Sequence, residues 1–330
     1  MKAKIAFFST HSYDTEFFSQ ANASYAFEIR FFDEKLNLET CHLAKGCDAV
    51  CVYVNDPVTA AIIDALNALG IKLIALRSTG YDHVDLKAAR QIMKVVRVPE
   101  YSPYSVAEFA VGLMLCLNRK IHKAHQRVQK NDFSIEGLLG FDMHGKTAGI
   151  IGAGHIGKAV IQILKGFGMR VLAYDIDPAQ IEEAGCPFAT PDELYKHCDV
   201  LSLHCALTKE NTHMIDKRSI AKMKDGVMLI NTGRGGMINT VDLIAGLESG
   251  KIGAAGLDVY ENEEDYFYRD LSNTAIKDQM LVHLQTHPNV LLTSHQAFLT
   301  QEALTGIATT TLENVKEFIQ GQPLKNEVHY

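Results

Sequence analysis

A chain of 330 residues with 47% hydrophobic and 22% charged side chains is long enough for two globular domains of ordinary size, each with its own core. Its net charge of −7 supplies no field toward nucleic acid or an anionic membrane surface, and neither is expected as a partner. Seven cysteines (Cys41, Cys47, Cys51, Cys116, Cys186, Cys198 and Cys205), odd in number and without a CxxC pair, speak against a disulfide framework and a structural zinc site; reduced thiols, no metal and a cytoplasmic location are the expectation.

The N-terminal "KIAFF" (4–8) reads as a first β-strand and not as a signal peptide. Further strand candidates are "FEIRFF" (27–32), "AVCVYV" (49–54), "KLIALRS" (72–78) and "KVVRV" (94–98), with helical patterns at 14–24, 36–45, 58–69 and 85–92 between them. Such a βαβ series implies a parallel sheet covered on both faces. The proline-containing "VPEYSPYS" (98–105) reads as a hinge, followed by one long helix over about 103–129. Within it, "FAVGLMLCL" (109–117) is too short to span a bilayer, and the basic "NRKIHKAHQRVQK" (118–130) carries its charges at helical spacings, as on a solvated or subunit-facing helix. A second series has strand candidates at 147–152, 170–175, 199–204, 226–232, 252–259 and 289–294, and an amphipathic helix over 300–320 closes the chain. The expected fold is α/β with two doubly wound parallel-sheet domains. A cofactor domain, 101–298, is inserted into a substrate domain made of 1–100 and 299–330, and ligands are expected at strand carboxyl ends, in the cleft between domains.

The segment "GIIGAGHIGKAV" (149–160) places Gly152, Gly154 and Gly157 in GxGxxG spacing after a strand and at the start of a helix. Gly152 permits a tight turn, Gly154 lets backbone approach a pyrophosphate, and Gly157 allows close helix–strand packing. The next strand, "RVLAYD", ends in Asp175, eighteen residues past Gly157, where an acid binds ribose hydroxyls and repels a 2′-phosphate. The pattern is that of a Rossmann dinucleotide site preferring NAD to NADP. Asp177 reads as turn chemistry only.

"LINTGRGGMIN" (229–239) presents Arg234 among glycines at a strand end, either to grip a carboxylate or merely as an exposed loop tip. "GLDVYENEED" (256–265) sets Asp258 at another strand end, followed by Glu261, Glu263, Glu264 and Asp265. Most of these four fit a solvated acidic loop, but one of the carboxylates could orient an imidazole. "LLTSHQAF" (291–298) then puts His295 past the last strand. A cofactor, a guanidinium, and an imidazole backed by an acid are what hydride transfer to a 2-keto acid requires.

Along its whole length the chain resembles the NAD-dependent D-2-hydroxyacid dehydrogenase family, most closely its bacterial fermentative D-lactate dehydrogenases. The resemblance runs through "LRSTGYDHVDL" (76–86), "VPEYSPYSVAEFA" (98–110), "GKTAGIIGAGHIG" (145–157), "LKGFGMR" (164–170), "NTGRGGMI" (231–238), "GLDVYENEEDYF" (256–267) and "HQAFLTQEAL" (295–304). It implies that Arg234 binds the substrate carboxylate, that His295 is proton donor and acceptor, and that Glu263 is the partner of His295. Cofactor contacts would come from His155 and Ile156 beside the glycines, and from Asp175, Cys205, Ala206, Asn211, Thr232, Gly233 and Asp258. Backbone amides of Ser78, Thr79 and Gly80 would meet the carboxylate, and Tyr101, with Tyr53 and Phe298, would shape the pocket. Two positions depart from the common pattern, Ala206 where many relatives carry proline and Phe109 where many carry histidine; neither belongs to the expected triad.

The implied activity is reversible reduction of pyruvate by NADH to D-lactate, the D stereochemistry coming from the resemblance alone. By the same resemblance 103–145 is a pairing surface, giving a homodimer or homotetramer. The alternatives are a dehydrogenase for another small or branched 2-keto acid and, from a different class, an NAD-sensing binding protein of the same fold.

Overall fold

A computed structural model of the chain describes residues 2–329; Met1 and Tyr330, the ends of the expected substrate domain, lie outside the described residues. The chain divides into two compact units, one formed by residues up to Ser102 together with those from Leu299 on, the other by Pro103–Phe298.

The first unit contains β1 (Lys4–Phe7), β2 (Glu28–Phe31), β3 (Ala49–Val52), β4 (Leu73–Leu76) and β5 (Lys94–Val96). All neighbours pair in parallel, in the order β2-β1-β3-β4-β5. Every residue of β3 and β4 is buried, as expected where helices cover both faces of a parallel sheet. The final helix, Gln301–Ile319, starts at Thr300, whose side chain accepts from the Ala303 amide, and packs on the helix Ser12–Asn22 and on β4. The tail then pairs with the sheet edge: Val328 N–H donates to Val95 O at 2.8 Å and Arg97 N–H to Asn326 O at 3.1 Å. The expected helix over 36–45 is reduced to a single 3₁₀ turn, Cys41–Ala44. Asn37 Oδ1 accepts the amides of Glu39 and Thr40 at 2.8 and 3.0 Å, an alternative to helical pairing that hydrophobic periodicity does not register.

The second unit contains β6 (Thr147–Ile151), β7 (Arg170–Tyr174), β8 (Val200–Leu203), β9 (Val227–Asn231), β10 (Ile252–Leu257) and β11 (Val290–Leu292). This sheet is also parallel throughout, in the order β11-β10-β9-β8-β6-β7. The order reverses at β6, which puts the turn after β6 at a topological switch point.

The single helix expected over 103–129 is two, Pro103–Arg119 and Ile121–Val128, broken at Lys120 with φ 50°. The cause is tertiary. Asn118 donates to Phe141 O and accepts from Phe141 N–H, both at 2.8 Å, and Lys120 Nζ donates to Leu139 O at 2.6 Å. A Cβ on Gly140 would lie 2.6 Å from Asn118 O, so this close return of the chain requires glycine. The returning segment leaves Phe133, Ile135 and Leu139 exposed at 73, 81 and 88%.

Candidate active site

Beyond β6 the backbone turns at Gly152 with φ 97°, where a Cβ would stand 2.5 Å from the Cys205 amide nitrogen. Only glycine meets both conditions. Gly154 is the N-cap of the helix His155–Gly166 and makes no side-chain cap; a Cβ there would meet nothing within 4 Å. The first-turn amides, including those of His155 and Ile156, thus begin a helix whose N-cap residue has no side chain to cap it. At Gly157 a Cβ would lie 1.9 Å from Gly152 O, so this glycine is needed for packing, not for ligand approach.

Asp175 follows β7, and its carboxylate is fixed by two backbone donors, Ala153 N–H at 2.7 Å and Asp177 N–H at 2.9 Å. Asp177 caps the helix Pro178–Glu183, its side chain accepting from the Ala179 amide. After β8, Asn211 Nδ2 donates to Ala206 O at 2.7 Å while its Oδ1 accepts from Thr208 N–H at 2.7 Å, bracing the loop that carries Cys205 and Ala206. Burial pushes the Cys205 thiol up to about 11, so it stays protonated and unreactive. At the end of β9 the Thr232 hydroxyl is buried with no hydrogen-bond partner among the described residues. An uncapped helix start, an anchored acid at the neighbouring strand end and an orphaned buried hydroxyl together fit a dinucleotide.

Arg234 opens the turn Gly235–Met237, with its Nη1 donating to Gly233 O at 3.0 Å. Fully buried Asn231 braces this loop, accepting from Gly233 N–H at 3.0 Å and donating to Arg234 O at 2.9 Å, a role that no pattern in the sequence marks.

Asp258 and His295 stand past the ends of adjacent strands β10 and β11. His295 takes φ 55°, and its Nδ1 lies 2.6 Å from Glu263 Oε1. A carboxylate at that distance fixes Nδ1 as the protonated nitrogen and leaves Nε2 for chemistry. Glu263 Oε2 accepts from Tyr260 N–H at 3.0 Å, and Tyr268 OH donates to His295 O at 2.9 Å. Both side chains of the pair are only 13% exposed. Asp258, expected as a cofactor contact, is fully buried, and its carboxylate is engaged by the chain around His295: the Thr293 hydroxyl at 2.5 Å, Gln296 N–H at 3.0 Å and Ala297 N–H at 2.8 Å. Burial raises its pKa, and these same donors oppose the rise.

The remaining expected residues Ser78, Thr79, Gly80, Tyr101 and Tyr53 belong to the first unit, and Phe298 ends the second. Ser78 Oγ donates to Gly80 O at 2.8 Å and Arg97 Nη1 to Thr79 O at 2.9 Å, which fixes the turn after β4. Tyr53 packs under the guanidinium of Arg77, 4.6 Å from the ring centre. Arg77 is itself 2% exposed, 3.3 Å from Asp14 and bonded to Ser9 O at 2.7 Å. No periodicity marks that pair, because its members lie on different elements.

Residues 111–297 match the family described as D-isomer specific 2-hydroxyacid dehydrogenase, NAD binding domain. The chain belongs to this family. It is 50% identical to a 2-hydroxyacid dehydrogenase homolog of Haemophilus influenzae, over 98% of this chain and 99% of that protein. It is 48% identical to the D-lactate dehydrogenase of Escherichia coli, with the same coverage. The apo-structure of the Escherichia coli enzyme matches with TM-score 0.89 and 46% identity, covering 99% of this chain and all of that one. A structure described as the pyruvate reductase of Chlamydomonas reinhardtii gives TM-score 0.91 and 42% identity, covering 98% of each chain. As a member of the D-isomer specific 2-hydroxyacid dehydrogenases, the protein is an NAD-dependent oxidoreductase for small-molecule substrates. Among its described residues no helix is long and apolar enough to cross a membrane.

Proposed function

We propose that the protein reduces pyruvate with NADH to D-lactate, reversibly, with His295, Glu263 and Arg234 as the catalytic residues. The observation that carries this reading is the 2.6 Å bond between His295 Nδ1 and Glu263 Oε1, which frees Nε2 for proton transfer. The whole-chain likeness to a D-lactate dehydrogenase supports the choice of substrate.

NADH, when bound, supplies the hydride that reduces the carbonyl carbon. Arg234 grips the substrate carboxylate as a planar, two-pronged donor and turns the carbonyl toward the imidazole. His295, protonated on both nitrogens, donates the Nε2 proton to the carbonyl oxygen, so the carbonyl becomes an uncharged hydroxyl, the product keeps its carboxylate, and the ring is left as a neutral imidazole. Glu263 keeps the Nδ1 proton throughout and offsets the positive charge of the ring. In oxidation His295 Nε2 takes the hydroxyl proton back. General acid catalysis of this kind contributes about 10²–10⁴-fold.

The amides past Gly152 and Gly154 would hold the pyrophosphate and Asp175 the ribose hydroxyls. His155, Ile156, Cys205, Ala206, Asn211, Thr232, Gly233 and Asp258 are assigned to the remaining cofactor environment, Asp258 acting through the His295 turn it anchors. Ser78, Thr79, Gly80 and Tyr101 would be the first unit's contacts to substrate, with Tyr53 and Phe298 limiting its size. The exposed Phe133, Ile135 and Leu139 support a second copy of the chain over 103–145, as homodimer or homotetramer, working in the cytoplasm.

The test is NADH absorbance decay against a panel of 2-keto acids, followed by enantiomer analysis of the product. Fastest turnover with pyruvate and a D product are expected. Preference for a larger keto acid would replace the substrate, and NADH binding without turnover of any keto acid would place the chain among NAD-sensing proteins.

A further inference from the structure

A second imidazole–carboxylate pair stands near the first. His213, in the loop after β8 with φ 53°, bonds through Nε2 to Glu261 Oε1. The other oxygen of Glu261 accepts from Thr240, the first residue of the helix Thr240–Glu248, through its hydroxyl at 2.9 Å and its amide at 3.3 Å. The backbone around His213 is stitched to the Arg234 loop. His213 N–H donates to Gly236 O at 2.9 Å, Ile215 N–H to Met237 O at 3.0 Å, and Asn239 N–H to Ile215 O at 2.9 Å. The Arg234 loop in turn abuts the loop after β10, because a Cβ on Gly235 would lie 2.1 Å from the Tyr260 carbonyl carbon. Glu261 sits between Tyr260, whose amide holds Glu263 Oε2 at 3.0 Å, and Glu263 itself. One carboxylate therefore fastens the loops that carry Asn211, Arg234 and Glu263.

We propose that His213 and Glu261 are a positioning pair for the reaction set out above, a role that rests on that reading. They touch no reacting atom; they hold the Arg234 and Glu263 loops in register. A half-exposed histidine–carboxylate contact kept only for stability contributes little. With side chains 38 and 26% exposed, this pair can be removed without opening the core. What it does contribute is constraint, since a displacement of even an ångström in a supporting loop weakens alignment at the reacting centre.

The experiment compares His213→Ala, Glu261→Ala, their double variant and His213→Gln with the parent enzyme. It measures kcat, KM for pyruvate, NADH affinity by fluorescence titration, and thermal melting. Each alanine variant is expected to lose about 10-fold in kcat, with NADH affinity falling by much less. The double variant should lose no more than either single, the signature of coupled residues. His213→Gln, whose amide can donate to Glu261, should recover most of the loss. Parent-like kcat in the single variants, additive losses in the double, equal loss of NADH affinity, or loss of the fold in His213→Ala would each overturn the pair's role. A parent that turns over no 2-keto acid would instead count against the proposed function, so the two failures are distinguishable.

Discussion

Asp258 holds the backbone of His295 by hydrogen bonds: the His295 N–H donates to Asp258 O at 2.7 Å, while the next two amides go to the Asp258 carboxylate. The anchoring survives loss of the imidazole. His295→Ala is therefore expected to fold and to bind NADH like the parent, with turnover down by about 10²–10⁴-fold. His295→Asn, which tolerates the left-handed φ of 55° better than alanine, should behave the same way. Fluorescence titration with NADH and steady-state pyruvate reduction check both; parent-like turnover in either variant would remove His295 from the chemistry.

Arg234→Lys keeps the charge and discards the planar fork. The loss of one charged hydrogen bond, roughly 2 kcal/mol, corresponds to about 30-fold in kcat/KM for pyruvate. A rise in KM together with a fall in kcat is expected, and unchanged pyruvate kinetics would exclude a carboxylate-binding role.

The glycine loop supplies a matched pair of variants. At Gly154 a methyl group meets nothing within 4 Å, so Gly154→Ala should melt like the parent and lose NADH affinity through obstruction of the pyrophosphate. At Gly157 the same methyl would stand 1.9 Å from a backbone oxygen. Gly157→Ala should cost about 3 kcal/mol or more in stability. Thermal melts and NADH titrations of the two proteins, side by side, separate ligand approach from packing.

Asp175 is held at the end of β7 by the amides of Ala153 and Asp177, where the proposed function puts the adenosine ribose. Asp175→Ala removes the acceptor for the ribose hydroxyls and the repulsion of a 2′-phosphate. The ratio of NADH to NADPH activity should move toward parity; an unaltered ratio would deny the contact.

His204, past β8, has its Nδ1 out of solvent without a partner and its Nε2 2.7 Å from Ser202 Oγ. Burial pushes its pKa down to about 4 from the ordinary 6.5. The native state then refuses a proton that the unfolded chain accepts. The contribution of this group is complete above about pH 6.5 and is lost as the pH drops toward about 4, by roughly 3 kcal/mol in all. Urea unfolding across that window should show a shallower slope in His204→Gln than in the parent.

Runs such as "AVCVYV" and "KLIALRS" were legible as strands because a parallel sheet covered on both faces demands little beyond apolar side chains. The glycine spacing was legible as a motif, although only Gly152 and Gly157 answer a demand of the fold itself and a Cβ on Gly154 would meet nothing. The break at Lys120 was not, since its causes lie at Leu139 and Phe141, on a segment that returns from about twenty residues away. Among Asp258, Glu261, Glu263, Glu264 and Asp265, spacing alone did not say which carboxylate meets His295; the resemblance named Glu263, and the folded loop puts Glu263 there. The anchoring work of Asp258 and Asn231 was invisible for the same reason, because their partners are backbone amides and carbonyls that any residue could present.

The pairing of Val328 with Val95 gives assembly an order. A polypeptide leaving the ribosome completes the contiguous unit from Pro103 to Phe298 while the earlier sheet still lacks its closing helix and edge partner. The half made first is finished last, and until the residues beyond Leu299 emerge its apolar strands lack the partners that cover them.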